Sequence, residues 1–197
     1  IVKMKKISYL LNYLLFVIIV LNVKGQTKSD SIDIMTFSGW EIVISNNAPK
    51  SELYAAEEFQ NIFQNATDIK LNITTTPKKE NNNIYIGYSL PMAKSNVGFD
   101  VTNMEQEELK IIIKPDNIAI AGGYNRGTLY GVYEFAERYL DVRFLTPSFT
   151  YYPKKETKKL IPCETYQYKP CFIYRSSYYK LQMDNIPFSV RLRDNSF

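Results

Sequence analysis

The stretch "EELKIIIKPDNIAIAGGYNRGTLYGVYEFAERYL", residues 107–140, constrains the fold more than any other. Two apolar runs, Leu109 to Lys114 and Asn117 to Ala121, flank Pro115 and Asp116, a pair suited to a tight turn. The runs therefore read as a β-hairpin. Two glycines follow, then apolar positions at Leu129, Val132, Tyr133, Phe135, Ala136 and Leu140, which is the spacing of a helix beginning at Gly127 or Thr128 and ending at Tyr139. A hairpin so apolar has to be covered, and this helix is its natural cover. Glu134, Glu137 and Arg138 are expected on the helix's solvent face.

The glycines raise the prospect of a phosphate loop, which the spacing excludes. A Walker-type loop needs a Lys followed by Ser or Thr at the helix start, and a dinucleotide turn needs GxGxxG after a parallel strand. "GGYNRG" has neither. Its glycines are expected to permit a turn at Gly122 and Gly123 and close helix packing at Gly127 and Gly131, with Asn125 as helix cap. Arg126 either pairs with a carboxylate or contacts whatever lies across the strand ends.

Upstream, "WEIVIS" reads as a strand. "SELYAAEEFQNIFQNAT" reads as a helix capped by Ser51, with Leu53, Ala56, Phe59, Ile62 and Phe63 as its apolar stripe. "IKLNITT" and "IYIGYS" add strands on either side of the polar break "TPKKENNN", and "DVRFLTP" returns as a short strand. The order is that of an α+β fold: a two-layer α/β sandwich with a mixed, largely antiparallel sheet. Ordered structure is expected to begin at Trp40, with residues 26–39 as a polar leader, and residues 154–167 form a charged, proline-bounded connector.

At the other extreme of the chain, Lys3, Lys5 and Lys6 precede an apolar run from Tyr9 to Val23 that ends in "VKG". This is the pattern of a secretory signal peptide, residues 1–25, cleaved after Gly25. The run is shorter than the roughly 20 residues of a spanning helix, so no stable membrane anchor is expected. Removing residues 1–25 removes four Lys and leaves 20 basic against 20 acidic side chains. The mature chain is thus neutral by formal count, and no nucleic acid, nucleotide or anionic membrane is expected as partner. Export places the protein in the periplasm or outside the cell.

The chain has no His. That removes His-dependent triads and most zinc sites, and no metal or cofactor is expected. Cys163 and Cys171 lie in a compartment that permits a disulfide; a bridge and two free thiols both fit their spacing. Tyr clusters in "FTYY" and "YRSSYYK" suit either sugar stacking or packing between domains.

"GGYNRGTLYGVYEFAERYLDVRFLTP" resembles the small N-terminal domain of secreted bacterial glycoside hydrolases, with its strand, "RGxxYG" turn-helix and "GVRWxxP" return. The chain looks closest to proteins carrying the domain of unknown function numbered 4838. It is also similar to the N-terminal domains of family 67 alpha-glucuronidases and family 20 beta-hexosaminidases. The match runs from about Trp40 to Pro153, residues 40–153, with Asp141 where relatives often have Gly. The resemblance implies an accessory α/β domain ahead of a (β/α)8 barrel, whose truncated start would occupy residues 168–197. There "YKPCFIYR" resembles the "PxFxxRG" first strand of family 20 barrels, with Pro170, Phe172 and Arg175 matching and Ser176 in place of Gly. Arg175 is the candidate sugar-binding residue, since its fork of donors suits vicinal hydroxyls or a sugar carboxylate; Arg126 is a second, weaker candidate. Glycosidases need two carboxylates flanking the scissile bond. Neither Asp184 nor Asp194 is marked as one of them, so no catalytic residue is expected within residues 1–197. The implied parent is an enzyme of polysaccharide degradation that hydrolyses O-glycosyl bonds, alpha-glucuronidase-like or hexosaminidase-like, with carbohydrate as its partner. The alternative is a free-standing carbohydrate-binding module.

Overall fold

A computed structural model describes residues 30–124 and 126–196. The signal segment and Asn125 lie outside the described residues. The hairpin and its helix form as the sequence predicts. Strand β5 (Leu109–Ile113) pairs antiparallel with β6 (Asn117–Gly122), and the helix α3 spans Gly127–Tyr139.

Around this hairpin a six-stranded sheet assembles, built also from β2 (Glu41–Val43), β3 (Asn72–Thr74), β4 (Asn83–Ile86) and β10 (Thr165–Tyr168). Its spatial order is β10-β5-β6-β4-β2-β3. The sheet is mixed, but the expectation of a largely antiparallel one is corrected. Pairings β2 with β3, β2 with β4 and β4 with β6 are parallel, against two antiparallel ones. Two helices account for the parallel set, because a crossover helix returns the chain to the same end of the sheet. Helix α1 (Lys50–Thr67) joins β2 to β3, and the short α2 (Leu90–Lys94) follows β4.

Alternation along the strands assigns each face. Ile42, Ile84, Ile86, Leu109, Ile111, Ile113, Ile118 and Ile120 point toward α1 and α3 and are almost wholly buried. Val43, Tyr85, Ala119 and Ala121 point the other way, where Met92 and Val97 cover them. Each fully buried Ile or Leu of the first set contributes about 1.5–3 kcal/mol relative to exposure. The two long helices meet through aromatic rings, with Phe59 and Phe135 5.4 Å apart between centroids. Within the predicted stripe of α1 only Leu53 departs, being exposed.

Glycine serves close approach here more than unusual torsion. A Cβ on Gly122 would lie 2.4 Å from the Gly127 carbonyl carbon, and one on Gly131 would lie 2.8 Å from Ile120. Gly123 is tighter still, since its Cβ would meet the Glu105 carbonyl oxygen at 1.8 Å. Asp141 takes φ +58, a left-handed conformation that Asp enters more readily than most residues.

Three local expectations are corrected. The α1 helix starts at Lys50 behind Pro49 (φ −65) with no side-chain cap, so Ser51 lies inside it. Ordered structure begins ahead of Trp40: β1 (Ser31–Asp33) pairs with β9 (Leu160–Pro162), and a 3-10 turn at Ile34–Thr36 follows. Ile34 and Phe37 are buried, and the Phe37 ring stacks on Trp40 at 3.9 Å. The polar residues of 26–39 mask these anchors in any averaged reading of the segment. Residues 154–167, expected as a connector, supply β9 and most of β10, which pair with β1 and β5.

The truncated barrel start is not seen. Tyr168 closes β10 inside the main sheet, and residues 169–179 contain no strand. Two short helices follow, α4 (Lys180–Met183) and α5 (Ile186–Arg191). A separate hairpin, β7 (Arg143–Thr146) with β8 (Phe149–Tyr151), contacts α5. Cys163 and Cys171 are both free thiols. Among the described residues, no helix is long and apolar enough to cross a membrane.

Candidate functional site

Residues 172–196 are fastened to the domain mainly through three arginines. Arg175 sits beside Glu107, a buried carboxylate two residues ahead of β5, with Nη2 donating to Glu107 Oε2 at 2.5 Å. Its Nη1 donates to the Phe172 carbonyl at 2.8 Å and its Nε to the Arg193 carbonyl at 3.0 Å. Asn195 completes the cluster by donating to the same Glu107 oxygen (2.9 Å) and to the Ile173 carbonyl (2.7 Å). The predicted sugar-binding fork is thus turned onto protein acceptors.

The second anchor joins three elements. Arg191 of α5 places Nε and Nη2 on the two oxygens of Glu58, a buried carboxylate on α1, each at 2.9 Å. Tyr133 of α3 donates to Glu58 Oε2 at 3.0 Å. Burial pushes the Tyr133 phenol well above its ordinary range and the Glu58 charge adds to that, so it stays a neutral donor. Burial disfavours the Arg191 charge, but Glu58 outweighs it and the guanidinium is held ionised. Two parallel N–H donors to one carboxylate fix orientation as well as distance.

Arg193 makes the third anchor, reaching Glu134 at 3.1 Å and Glu137 at 2.6 Å. These glutamates were expected on a solvent face; residues 186–193 cover it instead. Phe188 enters the core between these contacts, with Val190 and Leu192 packed against it.

Asp194 organises the chain ends of this arrangement. It accepts from Ser177 N–H (2.9 Å), Ser196 N–H (3.0 Å) and the Ser196 hydroxyl (2.7 Å). Burial opposes its ionisation, yet these bonds prevail and hold its carboxyl below the ordinary range. The Asp194 carbonyl accepts from Tyr130 at 3.0 Å and from Arg126 Nη1 at 3.4 Å. Arg126 thus reaches this segment through the Asp194 carbonyl.

The outer side is the reverse of the inner one. Phe172, Ile173, Tyr174, Tyr178, Tyr179, Leu181, Met183 and Ile186 are all exposed, Ile173 by 89% and Tyr178 by 86%. Eight large apolar side chains on 15 consecutive positions are far more than scattered surface residues account for.

The carboxyl ends of parallel strands, where open α/β sheets usually hold ligands, are largely filled. Glu52 of α1 lies over Gly87 after β4 and accepts from Thr128 at 3.3 Å; burial raises its carboxyl despite that bond and one from Tyr88 N–H. Among the described residues no three His, Cys, Asp or Glu side chains form a group able to hold a metal. The anchoring carboxylates Glu58, Glu107 and Glu134 are each engaged by arginine, so the arrangement suits holding rather than bond breaking.

Sequence singled out Arg175, though for sugar rather than for Glu107, whereas Glu58, Glu107, Arg191 and Arg193 were missed. The signal available for the arginines was "VRLR", two arginines two apart, of which Arg191 meets Glu58 on α1 and Arg193 meets Glu134 and Glu137, spaced three apart on α3.

No family model matches the chain, and no curated protein matches it. Among solved structures, the chain is similar to a GH20 exo beta-N-acetylglucosaminidase from Vibrio harveyi in complex with N-acetylglucosamine, at 14% identity and TM-score 0.47, over 74% of this chain and 18% of that one. It is also similar to a GH115 4-O-methyl-alpha-glucuronidase with specificity for decorated arabinogalactans, at 16% identity and TM-score 0.46, over 70% and 18%. A third, a GH138 enzyme targeting pectin rhamnogalacturonan II, matches at 22% identity and TM-score 0.39, over 51% and 13%. These structural neighbours are glycoside hydrolases, and the chain spans less than a fifth of the length of each.

Proposed function

We propose that this chain is the leading part of an exported glycoside hydrolase, with residues 30–168 as an accessory domain and residues 172–196 as the seat for a catalytic (β/α)8 barrel. The observation that carries the reading is the two-sidedness of 172–196. Its inner side is locked by Arg175, Arg191 and Arg193, while its outer side presents eight large apolar groups to solvent. A surface of that kind is stabilised by burial against another folded body. The resemblance of residues 122–147 to glycoside hydrolase accessory domains supports a glycosidase barrel as that body.

On this reading Arg175 is a positioning residue that acts through Glu107, and the catalytic carboxylates belong to the barrel. The substrate is a polysaccharide side chain, cleaved at an O-glycosyl bond outside the cytoplasm. A free-standing carbohydrate-binding module is less well supported, because aliphatic Ile173, Leu181, Met183 and Ile186 share the exposed face with the tyrosines. Sugar platforms are built from aromatic planes, and aliphatic neighbours suit protein packing instead.

The test is recovery of the native protein from its source with an antibody raised against the accessory domain. The expected species is a polypeptide several times the 22.9 kDa of this chain that releases nitrophenol from nitrophenyl glycosides. A native species of this chain's own size that binds polysaccharide without hydrolysing it would sink the enzyme reading in favour of the binding module.

A further inference from the structure

At the amino ends of β4 and β6 lies a groove of about 560 Å³, on the face not covered by α1 and α3. Its size falls within the roughly 300–1,000 Å³ of small-molecule sites. Three segments converge there: the 77–82 loop, the end of α2 with residues 94–96, and the β5-β6 turn at Asp116 and Asn117.

The groove's walls are braced from below by two buried amides. Asn117 accepts from Asn83 N–H at 3.1 Å and donates to Asn96 Oδ1 at 3.1 Å and to the Glu80 carbonyl at 3.3 Å. Asn83 donates in turn to the Lys79 carbonyl at 2.8 Å, and Asn96 donates to Asp116 Oδ1 at 2.7 Å. Both Asn83 and Asn117 are 1% exposed. Polar groups so deeply buried hold all three segments in one arrangement before any ligand arrives, which lowers the ordering cost of binding.

The lining mixes donors and acceptors closely. Lys79 and Lys94 provide ammonium donors, and among the described residues neither has a carboxylate at ion-pairing distance. Asp116 and Glu80 provide acceptors, Asn96 provides both, and Tyr85 lies at the floor. A sugar hydroxyl donates one hydrogen bond and accepts two. Ligands with several neighbouring hydroxyls therefore match this interleaving better than a phosphate, which offers only acceptors, or an apolar molecule, which offers neither.

From this geometry we infer that the accessory domain itself carries a saccharide site in the groove between Lys79, Lys94 and Asp116. The choice of saccharide among hydroxyl-rich ligands rests on the glycoside hydrolase reading, while the groove and its bracing do not. The site lies at the amino ends of β4 and β6, so a glycan held there leaves the 172–186 face free for its partner.

The test is a two-dimensional amide NMR titration of the purified chain with N-acetylglucosamine, methyl glucoside and glucuronate, each taken to tens of millimolar. Saturable shifts confined to residues 78–81, 94–96 and 116–117 are expected with at least one of the three. The Lys79→Ala/Lys94→Ala variant alters only exposed side chains, and it should keep its melting temperature while losing about tenfold in affinity, the loss expected for charge-assisted hydrogen bonds. Absence of saturable shifts with all three sugars, unchanged affinity in the variant, or shifts centred on Tyr174, Tyr178 and Tyr179 would each overturn the site. None of these outcomes bears on whether the native protein hydrolyses glycosides, so the two proposals fail separately.

Discussion

The six-stranded sheet and the 172–196 segment solve the same packing problem in opposite ways. In the sheet, isoleucines face inward against α1 and α3, and glycines let backbones touch. In the segment, charge faces inward and much of the apolar surface faces water. Hydrophobic burial stabilises the first on its own, whereas ion pairs at partly exposed sites contribute modestly and serve mainly to fix orientation. The segment is therefore a positioned surface rather than a second core.

Gly123→Ala should break both halves at once. The new methyl collides with the Glu105 carbonyl, whose loop leads straight to Glu107, and overpacking against backbone costs about 3 kcal/mol. Urea denaturation would show it as a lowered midpoint with an unchanged slope; a midpoint like the parent's would mean that the 104–105 loop yields freely.

Arg191→Ala should separate the halves. It leaves the buried Glu58 without its cation, at a cost of about 2 kcal/mol once partial exposure of the pair is allowed for. Limited proteolysis is expected to cut within 172–196 while the sheet amides keep their exchange protection. Equal loss of protection in both regions would show that segment and sheet fold as one unit.

Acid sharpens the same contrast. Because the folded Asp194 carboxyl lies below its ordinary range, its contribution is present above the ordinary aspartate range and lost as pH falls through the folded value. Exchange of the Ser177 and Ser196 amides should accelerate only in that acidic window, by the equivalent of about 1 kcal/mol, and Asp194→Asn should abolish the pH dependence. Acceleration near neutral pH would assign the effect to another group.

The smallest effect is expected at the outer face. Ile173→Ser with Tyr178→Ser should change stability by no more than about 0.5 kcal/mol, since both side chains are exposed. The pair should nevertheless reduce binding of a hydrophobic dye. A marked destabilisation would mean that these groups pack on this chain after all.

Much of the core was legible because it is local. The turn at Pro115 and Asp116, the period of α3 and the apolar stripe of α1 each announce themselves within a window of a dozen residues. Strand partners were not legible in this way. Nothing near Asn83 states that β4 inserts between β2 and β6, and nothing near Ile34 states that it and Phe37 join the main core. The rest of the candidate site was hidden for a related reason: Glu58, Glu107, Arg191 and Arg193 are ordinary surface residue types until the chain brings them together.

By itself, the sequence determined the hairpin, the two long helices and the glycine positions that let them approach, since these follow from short-range periodicity and steric limits. Only the tertiary structure decided the parallel majority of the sheet, the capture of residues 31–37, and the turning of Arg175 onto Glu107. Those outcomes depend on which distant surfaces exclude water together, and that free energy is a property of the assembled chain.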